Sequence, residues 1–206
     1  MTERTQLDLV RELAPDMVVS VGFDHLVPAE ILDIPDHGCV NLHPAYLPYN
    51  RGMSPNVWSI VEDTPAGVTL HYMDADFDTG EIIARREVDT SFSDTGKDLY
   101  RRLEAEQFDL FTDVWPDLVA GDVESTPQTD AEGTYHTIED FQRLCEIDPD
   151  EEVRAGDFLT RLRALTFPPF DNATVEIDGE RYYVDIDVRP AEEGDEEARE
   201  GFLESY

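Results

Sequence analysis

Short apolar runs, each cut off by a glycine or a polar loop, constrain this chain more than any other feature. Residues 16–21 read DMVVSV and stop at Gly22, residues 38–42 read GCVNL, residues 67–73 read GVTLHYM, and residues 82–88 form a fourth run. Runs this short, rich in β-branched residues and bounded by turn formers, are buried strands rather than helices. A long helix follows them. Thr95 and Asp98 supply a capping-box pattern with Asp in the Glu role. Leu99, Leu103, Phe108, Phe111, Val114, Trp115 and Leu118 then recur near helical spacing, and Gly121 ends the pattern. Trp58 and Trp115 are expected in the core.

Shorter helices are expected over residues 6–13, 28–32 and 55–61, the last with Pro55 in its first turn, where proline is tolerated. Residues 44–55 read as a Pro-, Gly- and Asn-rich loop and 122–133 as a polar linker. Residues 158–165 read as a helix, 166–172 as a proline-containing connection, and 173–177 with 181–188 as a hairpin around Asp178-Gly179. The first two thirds is thus α/β, with a small α+β appendage behind it. The expected division is 1–121 for the core, 122–190 for the appendage and 191–206 for an acidic, disordered tail.

Charge narrows the setting. The 206 residues include 48 Asp and Glu against 15 Lys and Arg, a formal net charge of -33, and Lys97 is the sole lysine. The acidic residues are spread along the whole chain. Such self-repulsion is tolerated where salt screens it, so a halophilic, high-salt cytoplasm is expected. Nucleic acid is an unsuitable partner, because the basic residues form pairs such as Arg85-Arg86 and Arg101-Arg102 rather than a stripe. No apolar run approaches the ~20 residues of a membrane span, and the N-terminus has no apolar signal core. Cys39 and Cys145 are too few and too distant for a disulfide framework or a clustered metal site.

In open α/β sheets the loops at the carboxyl ends of strands hold the ligand. Three such ends are polar here: the loop after Val21, the stretch Asn41-Leu42-His43, and the acidic loop after Met73 that carries Asp76 and Asp78. Asn41 and His43 stand two apart and face one side of an extended chain. An amide, an imidazole and a carboxylate meeting in a cleft are equipment for attack on a carbonyl. The same residues also admit plain structural readings, since a histidine before proline and an Asp-Thr-Gly turn are ordinary loop features.

The stretch from 40 to 88, VNLHPAYLPYNRGMSPNVWSIVEDTPAGVTLHYMDADFDTGEIIARREV, combines Asn-x-His-Pro, Leu-Pro and Arg-Gly in one loop, Gly-Val-Thr-x-His, and Asp-x-Gly. It resembles the core of the 10-formyltetrahydrofolate-dependent formyltransferases, which include the methionyl-tRNA and nucleotide-sugar N-formyltransferases. The loop Tyr49-Asn50-Arg51-Gly52 and the segment Leu162-Arg163-Ala164-Leu165-Thr166-Phe167 look most like the sugar-modifying branch. The resemblance implies a partial Rossmann-like sheet with helices on both faces. It implies formyl transfer from 10-formyltetrahydrofolate, as co-substrate and without a metal, to a primary amine of a nucleotide-linked amino sugar. The family's catalytic residues fall on Asn41, His43 and Asp78. Asn41 and His43 would hold the tetrahedral oxyanion, and Asp78 would tune His43 and help move the proton. Phe23, His25, Val27 and Asp76 match the folate pocket. Arg51 is a candidate for an acceptor phosphate, or else pins its loop, and His71 matches a family position near the site.

One departure stands out. The family's sheet has a further nucleotide-fold half before the strand matching residues 16–21, and here only a short helix precedes that strand. Either the start of the chain is misassigned or the open sheet edge needs a partner, for which a homodimer is the simplest answer. Three other functions compete: a methionyl-tRNA formyltransferase, a catalytically impaired folate- or partner-binding relative, and a metal site of His43, His71 and Asp78.

Overall fold

The computed structural model describes residues 7–23, 25–129 and 133–192. In chain order these form α1 (Asp8–Leu13), β1 (Val18–Val21), α2 (Ala29–Leu32), β2 (Cys39–His43), β3 (Arg51–Gly52) and α3 (Pro55–Val61). Then come β4 (Gly67–Tyr72), β5 (Ile82–Glu87), α4 (Gly96–Ala120), β6 (Tyr135–His136) and α5 (Ile138–Cys145). The chain continues through β7 (Glu146–Ile147), α6 (Ala155–Leu165), β8 (Thr174–Ile177) and β9 (Glu180–Tyr183).

The central sheet has the order β1-β2-β4-β5. β1 and β2 are parallel, in register from Val18↔Cys39 to Val21↔Leu42, with α2 in the crossover between them. β4 is antiparallel to β2 and pairs Asn41 with His71 and His43 with Thr69. β5 is antiparallel to β4, so half the sheet is a hairpin. Alternation along β2 then sorts its side chains. Val40 and Leu42 enter the main core with Val68 and Leu70 of β4, Val57 and Ile60 of α3, Leu99, Leu103, Leu110 and Leu118 of α4, and Leu162 and Leu165 of α6. The intervening residues Cys39, Asn41 and His43 point to the other face. There a second cluster of Leu7, Val10 and Ile31 packs against Val18, Phe23 and Val27.

The expected capping box is present: Thr95 accepts from the Asp98 amide, the Asp98 carboxylate accepts from the Thr95 amide, and Gly121 closes α4 in the left-handed region. The apolar periodicity overstates what α4 buries. Phe108 is 70% and Trp115 42% exposed, so Trp115 is not core, although Trp58 is. The buried stripe runs through Leu99, Leu103, Leu110 and Leu118, with Gln107 inside it donating to the Leu42 carbonyl at 3.0 Å. Truncating a wholly buried leucine such as Leu103 to alanine costs about 2–5 kcal/mol. Arg86 of β5 reaches Glu106 and Asp113 on the opposite flank of α4 from Phe108 and Trp115. No strand covers the free side of β1 among the described residues.

The C-terminal third shares the main core through α6, and Arg163 of that helix donates to the Ser91 and Asp94 carbonyls. The hairpin turn falls where expected, with Asp178 and Gly179 both at positive φ, 52° and 81°. Four small elements went unanticipated. β3 interrupts the 44–55 loop, β6 pairs with it in parallel, α5 begins at its own Thr137–Asp140 capping box, and β7 joins β8 and β9 in a second sheet. The tail expectation for 191–206 lies almost wholly outside the described residues.

Candidate active site

Asn41 and His43 leave the same face of β2, and His71 enters it from the neighbouring position on β4. Asp78 arrives by a different route from the one its sequence position suggests. Because β4 is antiparallel to β2, its carboxyl end lies opposite Val40, away from His43. The site therefore joins two parallel strand ends and a hairpin loop folded over the sheet, not three strand ends. The fold-back starts where the Met73 amide donates to the Cys39 carbonyl at 2.8 Å. Asp74 braces the loop from inside, accepting from the Asp76 amide at 3.1 Å and the Thr79 hydroxyl at 2.5 Å. Asp78 takes a φ of 56°, a left-handed conformation that Asp tolerates better than most residues.

The Asp78 carboxylate is the hub. Oδ1 accepts from Asn41 Nδ2 at 3.2 Å, and Oδ2 accepts from the Gly52 amide at 3.0 Å. His43 Nδ1 lies 3.6 Å and His71 Nε2 3.5 Å from Oδ1, distances of charge contact rather than hydrogen bonding. Asn41 Nδ2 also sits 3.3 Å from His71 Nε2. Each imidazole is fixed from behind by a carbonyl, which can only accept. His43 Nε2 is 3.2 Å from the Asn50 carbonyl oxygen and His71 Nδ1 is 2.7 Å from that of Tyr72. Those contacts put the proton on His43 Nε2 and on His71 Nδ1, and leave the nitrogens facing Asp78 as acceptors in the neutral rings.

Burial is the main influence on His43 and pulls its imidazole below the ordinary 6.5; Asp78 opposes that shift and His71 adds to it. Burial alone would raise the Asp78 carboxyl, but His43, His71 and the Gly52 amide outweigh it and hold the group at about 2. A charged His43 and a depressed His43 cannot both describe neutral pH. The neutral ring is the consistent choice, because burial outweighs the attraction of Asp78 and lowers His43 below 6.5.

A residue without any sequence signal locks the loop. Gln128 Nε2 donates to the Asp78 carbonyl at 2.9 Å and the Gly80 carbonyl at 2.7 Å, while its Oε1 accepts from Arg51 Nε at 3.2 Å and a second Arg51 nitrogen at 3.0 Å. Arg51 is buried in this arrangement and does not line the cleft described next. Asn50, at a φ of 57°, accepts from His43 through its carbonyl, and its amide donates to Thr134 Oγ1 at 2.9 Å.

Two hollows meet at the triad. A cleft of about 630 Å³ is lined by Gly22, Phe23, Asn41, His43, Pro44, Gly52, Met53, Pro55, Phe77 and Asp78, with Tyr135, Thr137, Ile138 and Glu139 on its far wall. On the other side a hollow of about 30 Å³ is bounded by Phe23, His25, Val27, Asp76 and Phe77, and again by Asn41, His71 and Asp78. All four residues expected around folate thus surround one space that touches the triad. Phe23 and Val27 also pack on the α1–α2 cluster. The small hollow admits only a water-sized group, with apolar walls from Phe23 and Val27 and a polar edge from Asp76. Among the described residues no three His, Cys, Asp or Glu side chains are grouped to hold a metal ion.

Residues 2–114 match the formyl transferase family, and residues 140–190 match the N-formyltransferase dimerization C-terminal domain. The chain is 36% identical to a dTDP-4-amino-4,6-dideoxyglucose formyltransferase of Mycobacterium tuberculosis over 85% of its own length and 74% of that protein. A 4-N formyltransferase from Francisella tularensis has a similar structure, with a TM-score of 0.85 at 30% identity, over 93% of this chain and 78% of that one. So does a formyltransferase from Anoxybacillus kamchatkensis in complex with UDP-4,6-dideoxy-4-formamido-L-AltNAc and tetrahydrofolate. There the TM-score is 0.59 at 39% identity, over 62% of this chain and 67% of that one.

Proposed function

Since the chain belongs to the formyl transferase family, we propose that it moves a formyl group from 10-formyltetrahydrofolate to the primary amine of a nucleotide-linked amino sugar. The observation that carries this reading is the buried Asp78 carboxylate with Asn41, His43 and His71 around it, placed between two separate hollows. Phe23, His25, Val27 and Asp76 would hold the folate, which supplies the activated formyl carbon. The acceptor amine enters from the larger cleft.

The amine attacks the formyl carbon, and negative charge builds on the formyl oxygen. Asn41 answers it by turning one amide hydrogen from its long contact with His71 toward that oxygen. The attacking nitrogen becomes acidic as it bonds. His43 takes its proton on Nδ1, and Asp78, 3.6 Å away, stabilises the imidazolium that results. As the tetrahedral adduct collapses to the formamide, the bond between the formyl carbon and N10 breaks. The imidazolium returns its proton to N10, which leaves as tetrahydrofolate. Asp78, bonded to the other amide hydrogen, holds Asn41 in place.

A relative that is a dTDP-4-amino-4,6-dideoxyglucose formyltransferase and a similar formyltransferase in complex with a UDP-linked formamido sugar support the sugar acceptor, and so does the acidic composition of residues 122–206. The division into a 1–121 core, a 122–190 appendage and a 191–206 tail is proposed as a functional one, with α6 of the appendage packed into the core. A second copy is the proposed partner of the β7–β8–β9 sheet, whose β9 strand is exposed along its length and lies within the dimerization match. A salt-rich cytoplasm fits the charge of -33. The test is formamide production from 10-formyltetrahydrofolate with dTDP-, UDP- and GDP-linked amino sugars and with methionyl-tRNA, in molar KCl. Turnover with a sugar nucleotide supports the reading. Folate binding without turnover of any amine, unchanged by Asn41→Ala or His43→Ala, overturns it in favour of a binding module.

A further inference from the structure

Residues 133–139 cross the mouth of the large cleft as a strap, and they reach the site from both sides. Outward, Tyr135, Thr137, Ile138 and Glu139 line the cleft. Inward, the Arg51 amide donates to the Thr134 carbonyl at 3.0 Å and the Met53 amide to the His136 carbonyl at 2.9 Å. This is the β3–β6 pair, and Gly52 in its middle is the residue whose amide holds Asp78. A side chain on Gly52 would put its Cβ 2.3 Å from the His136 carbonyl oxygen, so the strap lies as close to the site as backbones allow.

Thr134 ties the strap to Asn50 through its hydroxyl, and His136 ties it to α3. His136 is more than nine-tenths buried and stacks on Trp58 of α3, with ring centroids 3.9 Å apart and planes within 7°. Its Nε2 approaches Glu62 Oε1 at 3.1 Å, but neither that nitrogen nor the Trp58 indole N–H has an aligned hydrogen-bond acceptor among the described residues. At this side chain the stack on Trp58 adds to the backbone hydrogen bonds of the β3–β6 pair.

We propose that the strap 133–139 is the acceptor-selecting wall of the site and that His136 is the positioning residue that latches it. This rests on the formyl-transfer reading. Of the folate candidates, His25, Val27 and Asp76 border the other hollow alone and Phe23 borders both, which places the strap on the acceptor side of the site. Tyr135 and Ile138, half exposed on a strongly acidic surface, suit an acceptor that presents an apolar edge to the wall, and Glu139 suits a hydroxyl or the amine beside it.

The test compares wild type with His136→Ala and His136→Phe, all in a Trp115→Phe background so that Trp58 is the only indole. Thermal unfolding in molar KCl confirms that each is folded. Loss of the stacked ring is expected to change Trp58 emission in His136→Ala, and His136→Phe is expected to restore it. Kinetically, His136→Ala is expected to raise KM for a dTDP-linked amino sugar about tenfold, while KM for 10-formyltetrahydrofolate stays within about twofold. His136→Phe, which keeps a stacking ring, is expected to recover most of the acceptor KM. Equal changes in both KM values, or a fall in kcat alone, would overturn the proposal in an otherwise active enzyme. Unaltered Trp58 emission in His136→Ala would remove the latch itself. A wild type that turns over no amine defeats the formyl-transfer reading first, and the selectivity claim with it.

Discussion

The Gly52 amide donates to Asp78 Oδ2 at 3.0 Å, joining a loop that follows β2 to a loop that follows β4. That bond orients the carboxylate so that Oδ1 faces Asn41, His43 and His71. It also exists only because Gly52 adopts a φ of 86° beneath the His136 carbonyl.

Replacing Gly52 with alanine therefore strains the backbone and drives a Cβ into a carbonyl that belongs to main chain and cannot rotate away. Gly52→Ala is expected to lower stability by about 1–3 kcal/mol, measured by denaturant unfolding. Turnover should fall by more than the loss of folded protein explains, because Asp78 loses a donor. Activity per folded molecule equal to wild type would show that this amide does not orient the carboxylate.

Asp78→Asn keeps the shape of the hub and removes its charge. The imidazolium that forms on His43 then has no counter-charge, and kcat is expected to drop about 10²–10⁴-fold. Binding of folate, followed by fluorescence or calorimetry, should change far less. A variant that keeps more than a tenth of wild-type kcat would remove Asp78 from the chemistry.

The pH response follows from two depressed groups. His43 lies below its ordinary 6.5 in the folded protein, so the unfolded chain takes up that proton first as pH falls. Stability should decline as pH drops below 6.5, and the acid limb of kcat/KM should lie below 6.5, since proton transfer needs the neutral ring. Asp78, at about 2 against an ordinary 3.8, contributes stability that is present above 3.8 and is lost as pH falls through about 2. An acid limb centred above 6.5, measured in wild type and absent from His43→Ala, would contradict the neutral-ring assignment.

Gln128→Ala leaves the Asp78 and Gly80 carbonyls without their shared donor and Arg51 without this acceptor. A loss of about 1–3 kcal/mol is expected, the usual penalty for buried polar groups left unpaired. Hydrogen exchange should quicken around residues 74–80 and stay unchanged in α4. Uniform quickening across the chain would mean that Gln128 serves global folding and not this loop.

The main strands and helices could be read from the chain because their signals are local. Short β-branched runs bounded by a glycine or a polar loop placed β1, β2, β4 and β5, and the Thr95–Asp98 box with Gly121 bounded α4 nearly to the residue. Asn41 and His43 were readable as a same-face pair because alternation follows from backbone geometry alone. β3 and β6 were not readable, since two-residue strands carry no period and exist only through their pairing. Gln128 was not readable either. Nothing about a glutamine in a polar linker tells where its amide will land. Trp115 misled for the opposite reason: the helix advertises a wide apolar face, and the sheet beneath α4 covers only part of it.

Local chemistry along the chain thus determined which segments extend, which coil, and which residues carry an amide, an imidazole or a carboxylate. Tertiary structure decided their company. Only the antiparallel course of β4 and the fold-back of its loop bring Asp78 under Asn41 and His43. Only the distant strap around His136 turns that cluster into one wall of a cleft. Contacts between residues far apart in the chain depend on how whole elements pack, and that packing leaves no local trace at either partner.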